Sequence, residues 1–283
     1  MAITAAQVKA LREATGLGMM ECKKALEATG GDQGKAIEHL RKLGAKAAEK
    51  KAGRATSQGG VGIEVGGGAA GIVDLACETD FVSRGETFQA LLGDVVRHVL
   101  ANDAPDLDGM LDAPFGDATL RARVQSAIQE IGENIQFRRF ARFTGGGYGS
   151  YVHHDGSVGA LVRFEGEGVG NNPAFIDVAR RIAMHVASAN PLVVRRDEVS
   201  ADLIDRERGI FAEQVKDKPE NIRANIVEGM LAKRLFAECV LLEQPFVMDD
   251  KLTIKKVLDA AAKEAGGGLS ITSFARFAVG GDA

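Results

Sequence analysis

A chain of 283 residues, 45% of them apolar and 26% charged, with a formal net charge of −4, reads as globular and long enough for two ordinary domains. That balance excludes a disordered tail and a collagen-like fibre, and no stretch supplies the roughly 18 consecutive apolar residues of a membrane helix. The first residues (Ala2, Ile3, Thr4, Gln7, Lys9) form no signal core, so a cytoplasmic protein is expected. Cys22, Cys77 and Cys239 make no Cys-x-x-Cys pair, which argues against disulfides and structural zinc.

Charge is uneven along the chain. Residues 1–54 carry eleven Lys/Arg against six Asp/Glu, a net of +5, so a small basic module precedes an acidic body of −9. Thr4 with Gln7 reads as a capping box, and Val8 and Leu11 share a helical face up to Thr15-Gly16-Leu17-Gly18. A second helix is expected from Met19 to Ala28. Because adjacent residues cannot both face a core, one of Met19 and Met20 should be exposed. Thr29-Gly30-Gly31 stops that helix, Asp32 caps a third, and Ile37, Leu40 and Leu43 are its expected buried stripe. The stretch 53–60 lacks large apolar residues and reads as a linker.

An internal repeat follows. In the first copy Val61, Ile63 and Val65 alternate as a strand, Ile72 to Ala76 form its partner, and a helix runs from Phe88 through His98. In the second, Tyr151 and Val152 open a strand, Asp155-Gly156 turns it, Gly159 to Phe164 return, and a helix runs from Phe175 through His185. Each copy closes on Phe-Ala-Arg-Phe, at Phe140 to Phe143 and Phe274 to Phe277. The fold class is α+β: three helices, then a duplicated core of two small antiparallel sheets with helices. A helical hairpin interrupts the second copy at about 199–240. Ser200 caps its first helix with Leu203, Ile210 and Phe211, Asp217-Lys218-Pro219 turns it, and Ile222, Ile226 and Met230 stripe the return. The expected domains are 1–54, 55–143 and 144–283.

Gly66, Gly68 and Gly71 satisfy Gly-x-Gly-x-x-Gly, but Ile72-Val73-Asp74-Leu75 continues as strand where a dinucleotide site needs a helix, so a hairpin loop is expected. Gly34-Lys35 lacks the Ser/Thr of a phosphate loop, because Ala36 follows. His98 and His185 recur in both copies and read as packed histidines. His153-His154 sits at a turn where both rings should not share a strand face, which argues against a two-histidine metal site. No nucleophile with its base is apparent. The segment Glu78-Thr79-Asp80-Phe81-Val82-Ser83-Arg84 differs from its counterpart Glu165-Gly166-Glu167-Gly168, so it is a candidate for specific use. Phe81 either projects from this loop or folds back beneath it.

The run Thr15-Gly16-Leu17-Gly18-Met19-Met20-Glu21-Cys22-Lys23-Lys24-Ala25-Leu26 resembles the N-terminal signature of the bacterial elongation factor Ts family, and Thr79-Asp80-Phe81-Val82 resembles its exchange motif. Ile131-Gly132-Glu133-Asn134-Ile135, Ala183-Met184-His185-Val186-Ala187 and Gln244-Pro245-Phe246-Val247-Met248 extend the resemblance over nearly the whole chain. It implies a ubiquitin-associated-like helical domain, a duplicated core, a coiled-coil insertion, and a non-enzymatic guanine nucleotide exchange factor for elongation factor Tu. Asp80 and Phe81 would wedge between two helices of the Tu nucleotide domain, and Thr79 to Val82 would help displace its magnesium ion. Arg12, Met19, Met20 and Lys23 would hold another Tu helix, and Ile131, Gly132 and His153 would add contacts from the core.

The resemblance implies no cofactor for this chain, since GDP and magnesium belong to the partner. No membrane and no direct nucleic-acid contact are expected, and homodimer or Tu2Ts2 assembly stays open. Arg84 departs from the family pattern, and the sequence stops at Ala283 soon after its last strand, so no C-terminal tail contact is carried over. The rival reading is an RNA-binding protein of the translation apparatus, suggested by the basic module; two tyrosines and no tryptophan count against it. A hydrolase or metalloenzyme is a weaker third.

Overall fold

The computed structural model describes residues 3–281, so the outer ends of the first and last expected domains (1, 2, 282 and 283) lie outside the described residues. Helices α1 (Ala5–Thr15), α2 (Met19–Ala28) and α3 (Gln33–Lys51) come first. Strands β1 (Gln58–Gly66) and β2 (Ala69–Cys77) lead into the short α4 (Asp80–Arg84), α5 (Glu86–Ala101) and α6 (Leu107–Asp112). The small hairpin β3 (Pro114–Phe115) and β4 (Ala118–Thr119), α7 (Leu120–Ile131) and β5 (Ile135–Thr144) complete the first copy. The second runs through β6 (Gly147–Val152), β7 (Val158–Glu165), α8 (Pro173–Ala189), α9 (Ala201–Gln214), α10 (Glu220–Met230), α11 (Ala237–Cys239), β8 (Pro245–Phe246), β9 (Asp249–Thr253), α12 (Ile254–Ala265) and β10 (Ser270–Ala278).

Two compact units result. One comprises the chain up to Glu64, Gly71–Arg142 and the chain from Ala278; the other comprises Val65–Ala70 and Phe143–Phe277. The first holds the sheet β1-β2-β5 and the second the sheet β10-β7-β6, so each half is a three-stranded sheet with helices, as the repeat requires. Gly67 and Gly68, both at positive φ (58° and 76°), make the tight turn between β1 and β2 and dispose of the dinucleotide motif.

In the helical module the Thr4 and Gln7 capping box is present and Gly16 ends α1 in the left-handed conformation. Asp32 accepts the Lys35 N–H at 2.9 Å and caps α3. Val8, Leu11, Cys22, Leu26, Ala36 and Leu40 form the module's own core. The α3 stripe differs from expectation: Ala36, Leu40 and Gly44 are buried, whereas Leu43 is 41% exposed. Steps of four replace steps of three because α3 lies against α7 at Gly44, where a Cβ would approach Gln129 Oε1 to 3.1 Å. Met19 and Met20 do not both face the core, and in fact neither does, since Cys22, Ala25 and Leu26 supply the whole buried face of α2.

The expected linker 53–60 is partly structured. Strand β1 starts at Gln58, and Thr56 is buried. The Thr56 hydroxyl donates to Gln136 Oε1 at 3.0 Å, and Arg138 donates to the Thr56 carbonyl. Polar pairing with β5 replaces the apolar contacts that the stretch lacks. Every residue of β2 is buried, including Asp74, which Arg139 meets at 3.0 Å. Burial raises the Asp74 pKa and the neighbouring guanidinium opposes that rise.

Phe88, Leu91, Val95 and Val99 of α5 pack with β2, α7 and β5 in one core. The equivalent Phe175, Val178, Ile182 and Val186 of α8 pack with β7 and α12 in the other. His98 and His185 are both buried. Gln244 Nε2 donates to the Glu238 carbonyl at 2.6 Å, which turns its Oε1 toward His185 Nε2 at 2.8 Å. His185 therefore carries its proton on Nε2 and accepts the Val247 N–H at Nδ1 (3.3 Å).

The helices of the insertion have a separate core. Val227, Leu231 and Leu235 are buried on the return segment, one residue past the expected stripe, while Ile222 and Ile210 are exposed. A π-helical stretch at Leu231–Phe236 shifts the register after α10. Arg208 of α9 pairs with Glu228 of α10 at 3.3 Å.

Candidate functional site

The site begins where β2 runs out. Cys77 is buried, and its thiol donates to the Thr79 carbonyl at 3.2 Å. Burial first, then the Glu133 carboxylate, pushes the Cys77 pKa up to about 12, so it stays a thiol and offers no nucleophile. Thr79 is extended (φ −125°, ψ 155°) and its Oγ accepts the Val82 N–H at 3.3 Å, capping α4. The Ser83 hydroxyl donates to the Asp80 carbonyl at 2.9 Å, and Gln89 Nε2 donates to the Ser83 carbonyl at 2.6 Å, tying the short turn to α5.

This turn presents Phe81 to solvent with 85% of its surface exposed, which decides between the two orientations left open by the sequence. Its neighbour Val82 packs inward on the core. Asp80 is half-exposed and pairs with Arg84 at 3.4 Å across one turn. Such an exposed pair contributes about 0.5 kcal/mol, so the Asp80 carboxylate is free to exchange partners.

The end of α7 supports the loop from behind. Gly132 closes α7 at φ +88°, a conformation that redirects the chain into Glu133 and Asn134. Glu133 accepts the Thr79 N–H at 3.0 Å and the Thr79 hydroxyl at 2.7 Å. In return Glu78 accepts the Asn134 N–H at 2.6 Å, and it meets Arg54 at 3.3 Å. The Asn134 N–H, followed by Arg54, lowers the Glu78 pKa below the ordinary carboxylate range. Asn134 is buried, with its amide donating to the carbonyls of Arg54 (2.9 Å) and Ala52 (3.4 Å). Glu133 and Asn134 were legible only as part of a motif; their contact with 78–79 joins residues more than fifty positions apart.

The same helix end reaches the module. Gln129 donates to Glu21 at 3.4 Å, and Lys51 Nζ donates to the Ile128 carbonyl at 3.1 Å. Met19 and Met20 are 56% and 62% exposed, Lys23 pairs with Glu27 at 3.8 Å on the same helix, and Arg12 is exposed in the last turn of α1. Ile131 is partly buried against the core and Gly132 is exposed. One unit thus holds ten of the candidate residues: Arg12, Met19, Met20, Lys23, Thr79, Asp80, Phe81, Val82, Ile131 and Gly132.

His153 lies in the other unit. Its Nδ1 is 3.0 Å from the Tyr151 hydroxyl, and its ring meets that of His154 edge-on at 4.3 Å between centroids. The two rings approach each other because β6 ends at Val152 and both residues lie in the turn, so strand alternation does not separate them. Among the described residues no group of three or more His, Cys, Asp or Glu side chains could hold a metal ion, and no helix is long and apolar enough to cross a membrane.

Residues 78–281 match the family described as Elongation factor TS. Proteins named Elongation factor Ts from Trichlorobacter lovleyi (41% identical, over 99% of this chain and 93% of the relative) and Bartonella henselae (42%, over 99% and 94%) are similar along their length. That of Nitratidesulfovibrio vulgaris is 41% identical over 100% of this chain and 98% of its own.

Proposed function

Since the chain belongs to the elongation factor Ts family, we propose that it is a guanine nucleotide exchange factor of translation elongation which binds elongation factor Tu·GDP and releases the GDP. The observation that carries this reading is Phe81, a large aromatic 85% exposed on a turn that Thr79 caps and that Ser83 and Gln89 tie to α5. A soluble surface gains nothing from holding a lone phenylalanine outward, whereas a partner with an apolar cleft does. Asp80 and Phe81 enter between two helices of the nucleotide domain of Tu, and Thr79 to Val82 displace the magnesium ion that Tu holds with its nucleotide. Arg12, Met19, Met20 and Lys23 grip a second helix of that domain, with Ile131, Gly132 and His153 as further contacts.

The mechanism is negative coupling between two ligands of Tu. Magnesium neutralises charge at the diphosphate, so a partner that disturbs its coordination weakens nucleotide binding without competing for the base. Linkage is reciprocal: bound nucleotide weakens this chain's hold by the same factor. The chain leaves as fresh nucleotide enters and acts again with no bond-making residue of its own, so it is not an enzyme and needs no cofactor. It works in the cytoplasm. The domains of this reading are 1–54, ubiquitin-associated-like, 55–143 and 144–283, with the paired helices at 199–240 as a coiled-coil arm.

The test is the release of a fluorescent GDP from purified Tu. Acceleration by catalytic amounts of the chain is expected. No acceleration, together with tight retardation of RNA in a gel, would replace this reading with the RNA-binding one.

A further inference from the structure

Two acidic residues cross between the chain segments that meet behind the exposed turn. Glu133 takes the Thr79 N–H, and Glu78 takes the Asn134 N–H, so each segment clamps the other's backbone through a carboxylate. The Glu133 side of this exchange does more than join two strands. Its Oε1 takes the Thr79 hydroxyl proton at 2.7 Å, which leaves the lone pairs of that hydroxyl facing the Val82 N–H at 3.3 Å. Glu133 thereby sets the direction of the cap on α4, and α4 carries Phe81.

The other copy of the repeat shows what the same junction looks like without such a clamp. There the counterpart segments are Glu165-Gly166-Glu167-Gly168 and Gly266-Gly267-Gly268. They meet backbone to backbone, with the Gly168 N–H donating to the Gly268 carbonyl at 3.0 Å. A Cβ on Gly168 would lie 2.7 Å from the Gly267 carbonyl oxygen, and one on Gly166 would collide with the Gly268 carbonyl. The exposed turn at 165–167 carries no aromatic. In the first copy the two segments are joined instead through the carboxylates of Glu78 and Glu133, and a short helical turn follows.

We infer that Glu133 is a positioning residue for nucleotide exchange: it preorganises the Thr79–Val82 turn so that Phe81 meets its cleft in one orientation. This rests on the exchange reading above. The turn is short and solvent-facing, and a loop that must order itself on binding spends part of its contact energy doing so. The clamp removes that cost in advance. It also ties the turn to the module, because Asn134 binds the carbonyls of Ala52 and Arg54 and Glu78 meets Arg54.

The experiment uses the full chain with Tu bound to fluorescent GDP, and follows release against chain concentration for wild type, Glu133→Ala, Glu133→Gln, Phe81→Ala and the double variant Glu133→Ala/Phe81→Ala. Glu133→Ala should lower the maximal release rate about tenfold and move the half-saturating concentration less than about threefold. Glu133→Gln keeps an oxygen for the Thr79 N–H but turns an amide donor toward the hydroxyl, so its maximal rate should fall between those of wild type and Glu133→Ala. In the Phe81→Ala background the Glu133→Ala change should have little further effect, because both act through one insertion. Hydrogen exchange of the Thr79 and Val82 amides in the free chain should quicken in Glu133→Ala and not in Phe81→Ala. If wild type releases GDP and Glu133→Ala does so equally well, or if the two changes multiply, the positioning role is overturned while the exchange reading stands. If wild type releases none, the exchange reading falls, and unchanged amide exchange in Glu133→Ala would refute the clamp by itself. Should Glu133→Ala fail to fold, Thr79→Val removes only the hydroxyl relay and should still lower the maximal rate severalfold; an unchanged rate would overturn the proposal.

Discussion

Just past its central strand, one half of the repeated core carries Glu78-Thr79-Asp80-Phe81 held by Glu133 and Asn134; the other carries Glu165-Gly166-Glu167-Gly168 held by Gly267 and Gly268. Around these junctions the halves agree closely. Each has a three-stranded sheet and a helix bearing Phe and His ten residues apart. Each then has a Pro-Phe hairpin, a threonine-capped helix (Thr119, Thr253) and a left-handed glycine (Gly132, Gly266) before its closing strand. The difference teaches that a duplicated scaffold can be specialised at one seam. Glycine at the seam brings backbones into contact, while carboxylates join the segments through side chains beside a turn that exposes Phe81.

If the halves share a scaffold, equivalent core residues should cost alike. Phe88 is 1% exposed and Phe175 is 5% exposed, at matching places on α5 and α8. Replacing either with Ala should destabilise its half by about 3–5 kcal/mol, read by urea unfolding with hydrogen exchange to assign the half affected. A loss below about 1 kcal/mol at one of them would break the equivalence.

The seam itself should respond unequally. Gly166 sits at φ +125° against the Gly268 carbonyl, so Gly166→Ala combines strain with a collision and should cost about 2 kcal/mol or more. Thr79→Ala, at the other seam, loses a cap and should cost about 1 kcal/mol. Thermal melting of both variants checks the order; equal costs would contradict the contrast between a packed and a propped junction.

The buried histidines sharpen the comparison through pH. Burial lowers the pKa of both His98 and His185, and for His185 the bond from Nε2–H to Gln244 partly opposes this. A depressed histidine binds its proton more readily when unfolded. Stability is therefore full above the unfolded value near 6.5 and is lost as pH falls below it toward the folded value. Urea unfolding at pH 7.5, 6.5 and 5.5 should show a falling midpoint, and the fall should shrink in His185→Gln. A midpoint that rises on acidification through this window would reverse the assignment. Smallest of all, Arg208→Ala in the helical insertion removes an exposed ion pair with Glu228 and should cost less than about 1 kcal/mol by thermal melting.

Much of this architecture was legible in the chain. Phe88 to His98 against Phe175 to His185 set the repeat, and Thr4 and Asp32 marked helix starts, because caps and apolar periods are local signals. The module stripe through Leu43 was misplaced since what packs on α3 is α7, with contacts such as that of Lys51 to the Ile128 carbonyl linking residues 77 positions apart. Thr56 passed for linker because its partners, Gln136 and Arg138, are polar and distant in sequence. At the site, Thr79 to Val82 stood out as the place where two copies differ. Whether Phe81 pointed in or out depended on Glu133, whose role only tertiary proximity reveals.

The central claim is that the propped seam exists to present Phe81. Stopped-flow release of fluorescent GDP from Tu by Phe81→Ala, with its melting curve taken alongside, addresses this directly. A buried interface aromatic contributes about 2 kcal/mol or more on truncation, so the nucleotide-free complex should weaken at least about tenfold and release should slow. The melting temperature should stay near that of wild type, because a side chain 85% exposed leaves no cavity. Wild-type release by Phe81→Ala, or a large drop in melting temperature with undiminished activity of the folded fraction, would contradict the account.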